Sequence, residues 1–177
     1  PGSSLPNAMV QVSPVTKFHS GAGYQYEDSV IYGFTHTNKG HWNLCHIPLL
    51  PVTGTPTPGD YCSPFSHERE SAAPGYYQVF LDRYGVDAQL SSTLRCAFHK
   101  YTYPAGAAAS LLADLQRSNE HVRAWDIRKE GDNVFAGWQQ TGEKMYFYAV
   151  ANRPVTGIEP VVEGDREVRI VRFGEGD

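Results

Sequence analysis

Apolar and polar residues alternate along much of this chain, in short runs. Residues 76–81, 88–96, 97–103, 134–138, 144–150 and 168–173 keep a period of two, as does the shorter 9–12. That period sends successive side chains to opposite faces of a strand. Gly, Pro, Asn and Asp punctuate the runs at 20–23, 54–59, 74–75, 84–85, 104–106, 131–133, 141–142 and 163–165. Short strands separated by frequent turns predict an all-β protein, an antiparallel sandwich or barrel. One stretch resists. Residues 105–116 are rich in Ala and Leu, and Leu111, Leu112 and Leu115 would share a helical face. Propensity alone favours a helix there, whereas a strand over 110–116 would continue the pattern.

A length of 177 residues makes one domain with its own core the default. No repeat or linker divides the chain, and 54–59 reads as a surface loop. The net charge is -4, without a charged block. Nucleic-acid binding calls for a basic stripe, which is missing. There is no apolar run of membrane length. These 177 residues include no signal peptide, and they start abruptly at Pro1-Gly-Ser-Ser4. Cys45, Cys62 and Cys96 form no CxxC pair, which speaks against zinc. They allow one disulfide plus a free thiol or three buried thiols, and the thiols are the expectation.

Two polar-aromatic clusters interrupt the strand pattern, at 33–43 and 61–70. Loops of this composition commonly carry chemistry or grip a ligand. Aromatic faces beside amide, hydroxyl and imidazole groups suit a sugar. His36, His41 and His46 are spaced by five, which brings three imidazoles together on neither a helix nor a strand. Sugar hydrolysis normally needs two carboxylates flanking the bond. Glu68 and Glu70 stand two apart, and Glu27 and Asp28 follow Tyr24-Gln-Tyr26, but nothing marks any of them as an acid held in an apolar pocket. Surface or loop-bracing carboxylates are the expectation. Ser66, His67 and Cys62 lie close together without the glycine pattern of a nucleophile elbow. Of Tyr24, Tyr26, Phe34, Trp42, Tyr61 and Phe65, some belong to the core. Trp42, in its polar loop, is the one expected to face a ligand.

These segments also carry a resemblance. In order, they are Pro1-Gly-Ser-Ser-Leu-Pro-Asn-Ala-Met-Val-Gln-Val-Ser-Pro14, Gly23-Tyr-Gln-Tyr26, Gly33-Phe-Thr-His-Thr37 and Pro51-Val-Thr-Gly54. Ser63-Pro-Phe-Ser-His-Glu-Arg-Glu70, Pro74-Gly-Tyr-Tyr77, His99-Lys-Tyr-Thr-Tyr-Pro104 and Gly137-Trp138 follow. The chain resembles the N-terminal domain of glycoside hydrolase family 92, the exo-acting α-mannosidases. Asn7-Ala8 stands where Phe-Gly is commoner, and Asn38-Lys-Gly-His-Trp42 replaces a His-x-Ser-Gly run.

The resemblance implies a β-sandwich of the galactose mutarotase-like supersandwich kind, one domain over 1–177, and a strand rather than a helix near Ser110. It implies a parent enzyme that inverts the anomeric centre, depends on calcium and degrades glycans. The catalytic carboxylates and most calcium ligands would lie in a C-terminal (α/α)6 domain absent here, so no catalytic or metal residue is expected in this chain. The partners implied are an α-mannoside glycan and that helical domain. The loops at 1–7, 34–42 and 61–68 would face the domain junction. The residues expected to contact substrate are Ser3, Ser4, Asn7, His36, His41, Trp42, Tyr61, Ser63, His67 and Glu68. The fragment alone is expected to be inactive, and its missing strands to favour a dimer through exposed edges. Periplasmic or secreted placement is implied by the resemblance alone. A stand-alone carbohydrate-binding module and a structural bracing domain are the alternatives.

Overall fold

The computed structural model describes residues 2–39 and 42–174. Every strand pairing in it is antiparallel. A six-stranded sheet runs in the order β1 (Ser13–Val15), β3 (Gly33–Thr35), β6 (Leu49–Val52), β12 (Ser110–Ala113), β17 (Arg166–Phe173) and β16 (Val155–Glu163). A four-stranded sheet follows β11 (Ala97–Thr102), β10 (Val86–Ser92), β9 (Tyr76–Leu81) and β8 (Glu70–Ala73). A three-stranded meander holds β13 (Ala124–Gly131), β14 (Val134–Gln140) and β15 (Lys144–Val150). Two short pairs complete it, β2 (Val30–Ile31) with β7 (Ser63–Pro64) and β4 (Asn38–Lys39) with β5 (Trp42–Asn43).

The six-stranded sheet is buried on both faces. On one side Phe34, Leu50, Val52, Leu112 and Ile170 pack against Tyr77, Val79 and Leu81 of β9 and Val86, Ala88 and Leu90 of β10. On the other side Leu49, Leu111, Ala113 and Val171 meet Ile127 and Phe135, with Phe147 at the margin. The expected all-β sandwich is therefore present, with a central sheet shared by two apolar layers. β9 and β10 alternate cleanly because they have one wet face. β6 and β12 are buried at every residue and show no alternation.

The stretch 105–116 yields to tertiary context. β12 pairs with β6 on one side and β17 on the other, sending Leu111 and Leu112 to opposite layers. A helix would have placed both on one face, leaving the central sheet without its middle strand. Other boundaries moved. The run at 88–96 breaks after Ser92, where the Cys96 amide donates to Thr93 Oγ1 at 3.0 Å and closes a turn. Residues 9–12 contribute only a bridge, Ser3 to Val12. β13 and β16 escaped the pattern because bulges at 129–131 and 155–157 shift their alternation.

All three cysteines are free, so there is no disulfide. The expectation of three buried thiols is corrected: Cys45 is buried, Cys62 half-buried and Cys96 exposed in the 93–96 turn. Burial pushes the Cys45 thiol up to about 12. Under native conditions a maleimide is expected to label Cys96 first and Cys45 only on unfolding. Peptide mass mapping of the labelled sites checks this order. Among the described residues, no helix is long and apolar enough to cross a membrane.

Candidate functional site

Trp42 stands on the β4–β5 hairpin, opposite Lys39, with 54% of its surface exposed. Its indole lies against Gly21, where an added Cβ would come within 3.2 Å of the ring. Gly21 also has φ of +52°, so any side chain there meets both the ring and backbone strain. The Asn43 amide donates to the Gly21 carbonyl at 2.7 Å. Asn119 ties the two loops together: its Nδ2 donates to the Asn43 carbonyl at 2.6 Å, and its Oδ1 accepts from the His19 amide at 2.6 Å. A hollow of about 280 Å³ opens beside the indole, bounded by His19, Gly21, Lys39, Leu44 and Asn119.

The root of the hairpin is rigid. Asn43 Oδ1 accepts from the Cys45 amide at 2.8 Å and from Thr35 Oγ1 at 3.2 Å. Cys45 and Ile47 adopt φ of 55° and 53°, an uncommon conformation for both and a costly one for the β-branched Ile47. The strain turns His46 inward, where it is 1% exposed, between Thr37 and Glu120. Burial lowers the His46 pKa, while the Glu120 carboxylate pulls it back up. Beneath the hairpin His36 meets His99 of β11, Nε2 to Nε2 at 3.0 Å. His99 Nδ1 accepts from the Tyr101 hydroxyl at 2.7 Å, and His36 Nδ1 donates to the Ile47 carbonyl at 3.0 Å.

The second cluster centres on Glu70. Its carboxylate accepts from the hydroxyls of Tyr24 at 3.0 Å and Tyr77 at 2.6 Å, and it meets His67 Nδ1 at 2.5 Å. His67 Nε2 donates to the Tyr26 carbonyl at 2.7 Å. Both ring nitrogens thus face acceptors, which calls for the imidazolium form. The Glu70 hydrogen bond accordingly raises the His67 pKa. Burial, then Glu70, raises the Tyr24 and Tyr77 phenols, so both stay neutral donors. The Tyr26 ring, 65% exposed, stacks on His67 at 4.1 Å with 6° between planes, and Phe65 closes the other side edge-on. Glu68 lies exposed in the 3-10 turn His67–Arg69, which Ser66 caps.

The loop from Phe18 to Asp28 joins the clusters into one rim. It supports Trp42 through Gly21, and His67 and Glu70 through Tyr24 and Tyr26. Of the residues read as substrate contacts, Trp42, His67 and Glu68 lie on this rim, and His36 lies under it. Asn7 is exposed and Ser4 half-buried, on a loop tied instead to the 93–96 turn through the Met9 amide and Leu94 carbonyl. Ser3, Tyr61 and Ser63 are buried. Their hydroxyls donate inward, Ser3 to the Gly75 carbonyl, Tyr61 to Asp114 and Ser63 to the Pro64 carbonyl. His41 lies outside the described residues.

Sequence reading named Tyr24 and Tyr26 among the aromatics without placing them on a site. It missed His19, Gly21, Lys39 and Asn119. The Gly23-Tyr-Gln-Tyr26 motif was a signal for the first pair. Asn119, far away in sequence, offered none.

A family model described as the glycosyl hydrolase family 92 N-terminal domain matches residues 1–170. Among solved structures, a family GH92 alpha-mannosidase from Bacteroides thetaiotaomicron superposes with a TM-score of 0.87 at 24% identity, over 99% of this chain and 29% of that one. The gh92 family glycosyl hydrolase ccman5 gives 0.79 at 26% identity, over 99% and 28%. A family GH92 inverting mannosidase from Bacteroides thetaiotaomicron gives 0.80 at 21%, over 99% and 26%. The chain thus spans less than a third of the length of these solved relatives. No curated protein matches it.

Proposed function

The chain belongs to the glycosyl hydrolase family 92 N-terminal domain family, and from that membership we propose that it is the carbohydrate-contacting part of an α-mannosidase, contributing loops rather than catalytic groups. The observation that carries this reading is the continuous rim from Trp42 through the 18–28 loop to His67. It presents two exposed aromatic rings on a backbone too heavily hydrogen-bonded to give way. An indole and a phenol ring can stack on the apolar face of a mannose, while Lys39, Asn119 and Glu68 meet its hydroxyls.

In this reading the parent is exo-acting and inverting, removes terminal α-linked mannose from glycans, and acts in the periplasm or outside the cell. The acid and base come from a second, helical domain. The carboxylates near the rim suit that division. Glu70 is committed to three donors, Asp114 is buried against Arg166, and Glu68 faces solvent. Of these three, Glu70 and Asp114 are committed to partners, so they supply no flanking acid–base pair. Calcium is expected in the parent. Among the described residues no three His, Cys, Asp or Glu side chains converge, and no step is assigned to the ion here.

Trp42→Ala in the intact hydrolase tests the proposal. The expected outcome is a fall in kcat/KM on a terminal α-mannoside of about ten-fold or more, since ten-fold is roughly 1.4 kcal/mol of transition-state binding. The melting temperature should hardly move, because the indole is largely exposed. A lowered melting temperature with unchanged kcat/KM would point to a bracing domain instead. Saturable mannoside binding by the isolated chain would point to a self-sufficient binding module.

A further inference from the structure

Glu70 opens β8 with its side chain only 9% exposed, and donors from three segments converge on it. Tyr24 comes from the 18–28 loop, His67 from the 3-10 turn and Tyr77 from β9. Oε1 takes the Tyr77 hydroxyl, Oε2 takes the imidazole Nδ1, and the Tyr24 hydroxyl lies 3.0 Å from both oxygens. One carboxylate therefore fastens the loop that carries Tyr26 to the turn that carries His67.

The far side of the imidazole holds Tyr26 twice. Nε2 donates to the Tyr26 carbonyl at 2.7 Å, and the phenol ring lies flat on the imidazole. The carboxylate and the carbonyl can only accept, so both contacts are satisfied only while the ring carries two N–H groups. When one proton leaves, the other stays at Nδ1, because a hydrogen bond to a carboxylate is stronger than one to a carbonyl. The Nε2 lone pair then meets the lone pairs of the Tyr26 carbonyl, and the hold on Tyr26 is lost.

The other groups around the ring leave this logic intact. Tyr24 and Tyr26 face it from the loop, Glu70 from β8 and Tyr77 from β9, with Phe65 edge-on. The phenols of Tyr24 and Tyr77 stay protonated, so neither competes with the imidazole for a proton near neutral pH. Glu68 and Arg69 share its turn. Glu68 faces solvent, and Arg69 is drawn to Asp82 at 3.1 Å with its guanidinium over Phe80.

We propose that Glu70 is a positioning residue for sugar binding: it keeps His67 doubly protonated as a clamp on Tyr26, and loss of one proton to solvent frees the phenol ring and weakens the hold on the mannoside. This rests on the rim being the sugar-contacting surface.

The test is KM and kcat against pH, from about 5 to 9, for the intact natural hydrolase carrying this chain, with an aryl α-mannoside as substrate. KM should rise as pH climbs through the folded His67 value, by about two- to ten-fold, the range of one lost aromatic contact, and kcat should change less. Glu70→Gln removes the main support for the charged ring, so its KM should start to rise at lower pH, nearer the ordinary histidine value of about 6.5. The ratio of variant to parent KM then peaks between the two values and shrinks on either side. A ratio that is flat with pH is what a merely structural glutamate gives, and it overturns the proposal. Tyr26→Ala, at an exposed position, should raise KM at every pH and abolish its rise. That variant decides the matter if Glu70→Gln misfolds, and a rise that survives it overturns the proposal. Trp42→Ala measured alongside separates two failures. If it alone lowers kcat/KM, the rim binds sugar and the clamp is refuted. If it too leaves kcat/KM unchanged, the reading of the rim falls and the proposal with it.

Discussion

Arg166→Met is expected to destabilise the domain by about 3 kcal/mol, because it strands the buried Asp114 carboxylate without its partly exposed partner cation. Asp114, at the end of β12, is fully buried. It accepts from Tyr61 Oη at 2.6 Å and from Arg166 Nη2 at 2.7 Å, and its Oδ1 has no hydrogen-bond partner. Burial pushes the Asp114 pKa up, while the Tyr61 hydroxyl and the arginine charges hold it down. Without Arg166 the carboxylate keeps one neutral donor and the more distant field of Arg117. Asp114→Asn in the same molecule should recover much of the loss, because an amide carries no charge to be stranded. Urea midpoints at constant m-value measure both. A single variant within about 1 kcal/mol of the parent would show that the pair contributes little.

Acid should weaken the fold well above the carboxylate range, through His36 and His99. The Ile47 carbonyl can only accept, so His36 Nδ1 holds its proton and Nε2 accepts from His99. His99 Nδ1 then accepts from Tyr101, and both rings are neutral. Tyr101 and the Ile47 and His46 carbonyls face the pair. Burial lowers the His36 pKa to about 4, and burial with the neighbouring ring lowers that of His99 well below the ordinary histidine range. Between about pH 6.5 and 4 the unfolded chain therefore takes up protons that the folded chain refuses. Stability is full above that window and falls as pH drops through it, by up to roughly 3 kcal/mol for His36 alone. His67 acts with the opposite sign. Its raised pKa gives stability that is complete below about 6.5 and lost as pH rises through the folded value. Urea midpoints from pH 4 to 8 should show the acid loss, and a His36→Gln/His99→Leu variant should show much less of it. Equal acid limbs in the two proteins would refute the assignment.

The fold was legible wherever one face of a strand meets water. β9, β10, β14 and β15 announce themselves by alternation because solvent rewards it. β6 and β12 do not, because both their faces meet apolar layers. The sequence there reads as an undifferentiated apolar run, or as a helix for 105–116. The rim was legible through its aromatic rings. Trp42 and His67 could be named from composition because an indole or imidazole among polar neighbours is unusual. Ser3, Tyr61 and Ser63 have the same chemistry, but register and distant partners turned them inward. Tyr61 reaches Asp114, and Ser3 reaches Gly75, across gaps that no local pattern encodes. Asn119, which fastens the platform, is one asparagine in a polar loop until its two hydrogen bonds are seen.

The doubly buried central sheet also sets a schedule. Leu111 sits between Pro51 and Val171, so its neighbours come from widely separated parts of the chain. On a ribosome, β6 is made early and can find β12 only after the four-stranded sheet has been synthesised. β12 then waits for residues 166–173 to pair along its other edge. Contacts that span so much sequence form slowly, and an apolar strand left waiting is prone to mispairing. Until β12 and the layer carrying Ile127 and Phe135 are made, Leu49–Val52 is an apolar segment with no wet face to rest on, and that interval is when mispairing threatens it.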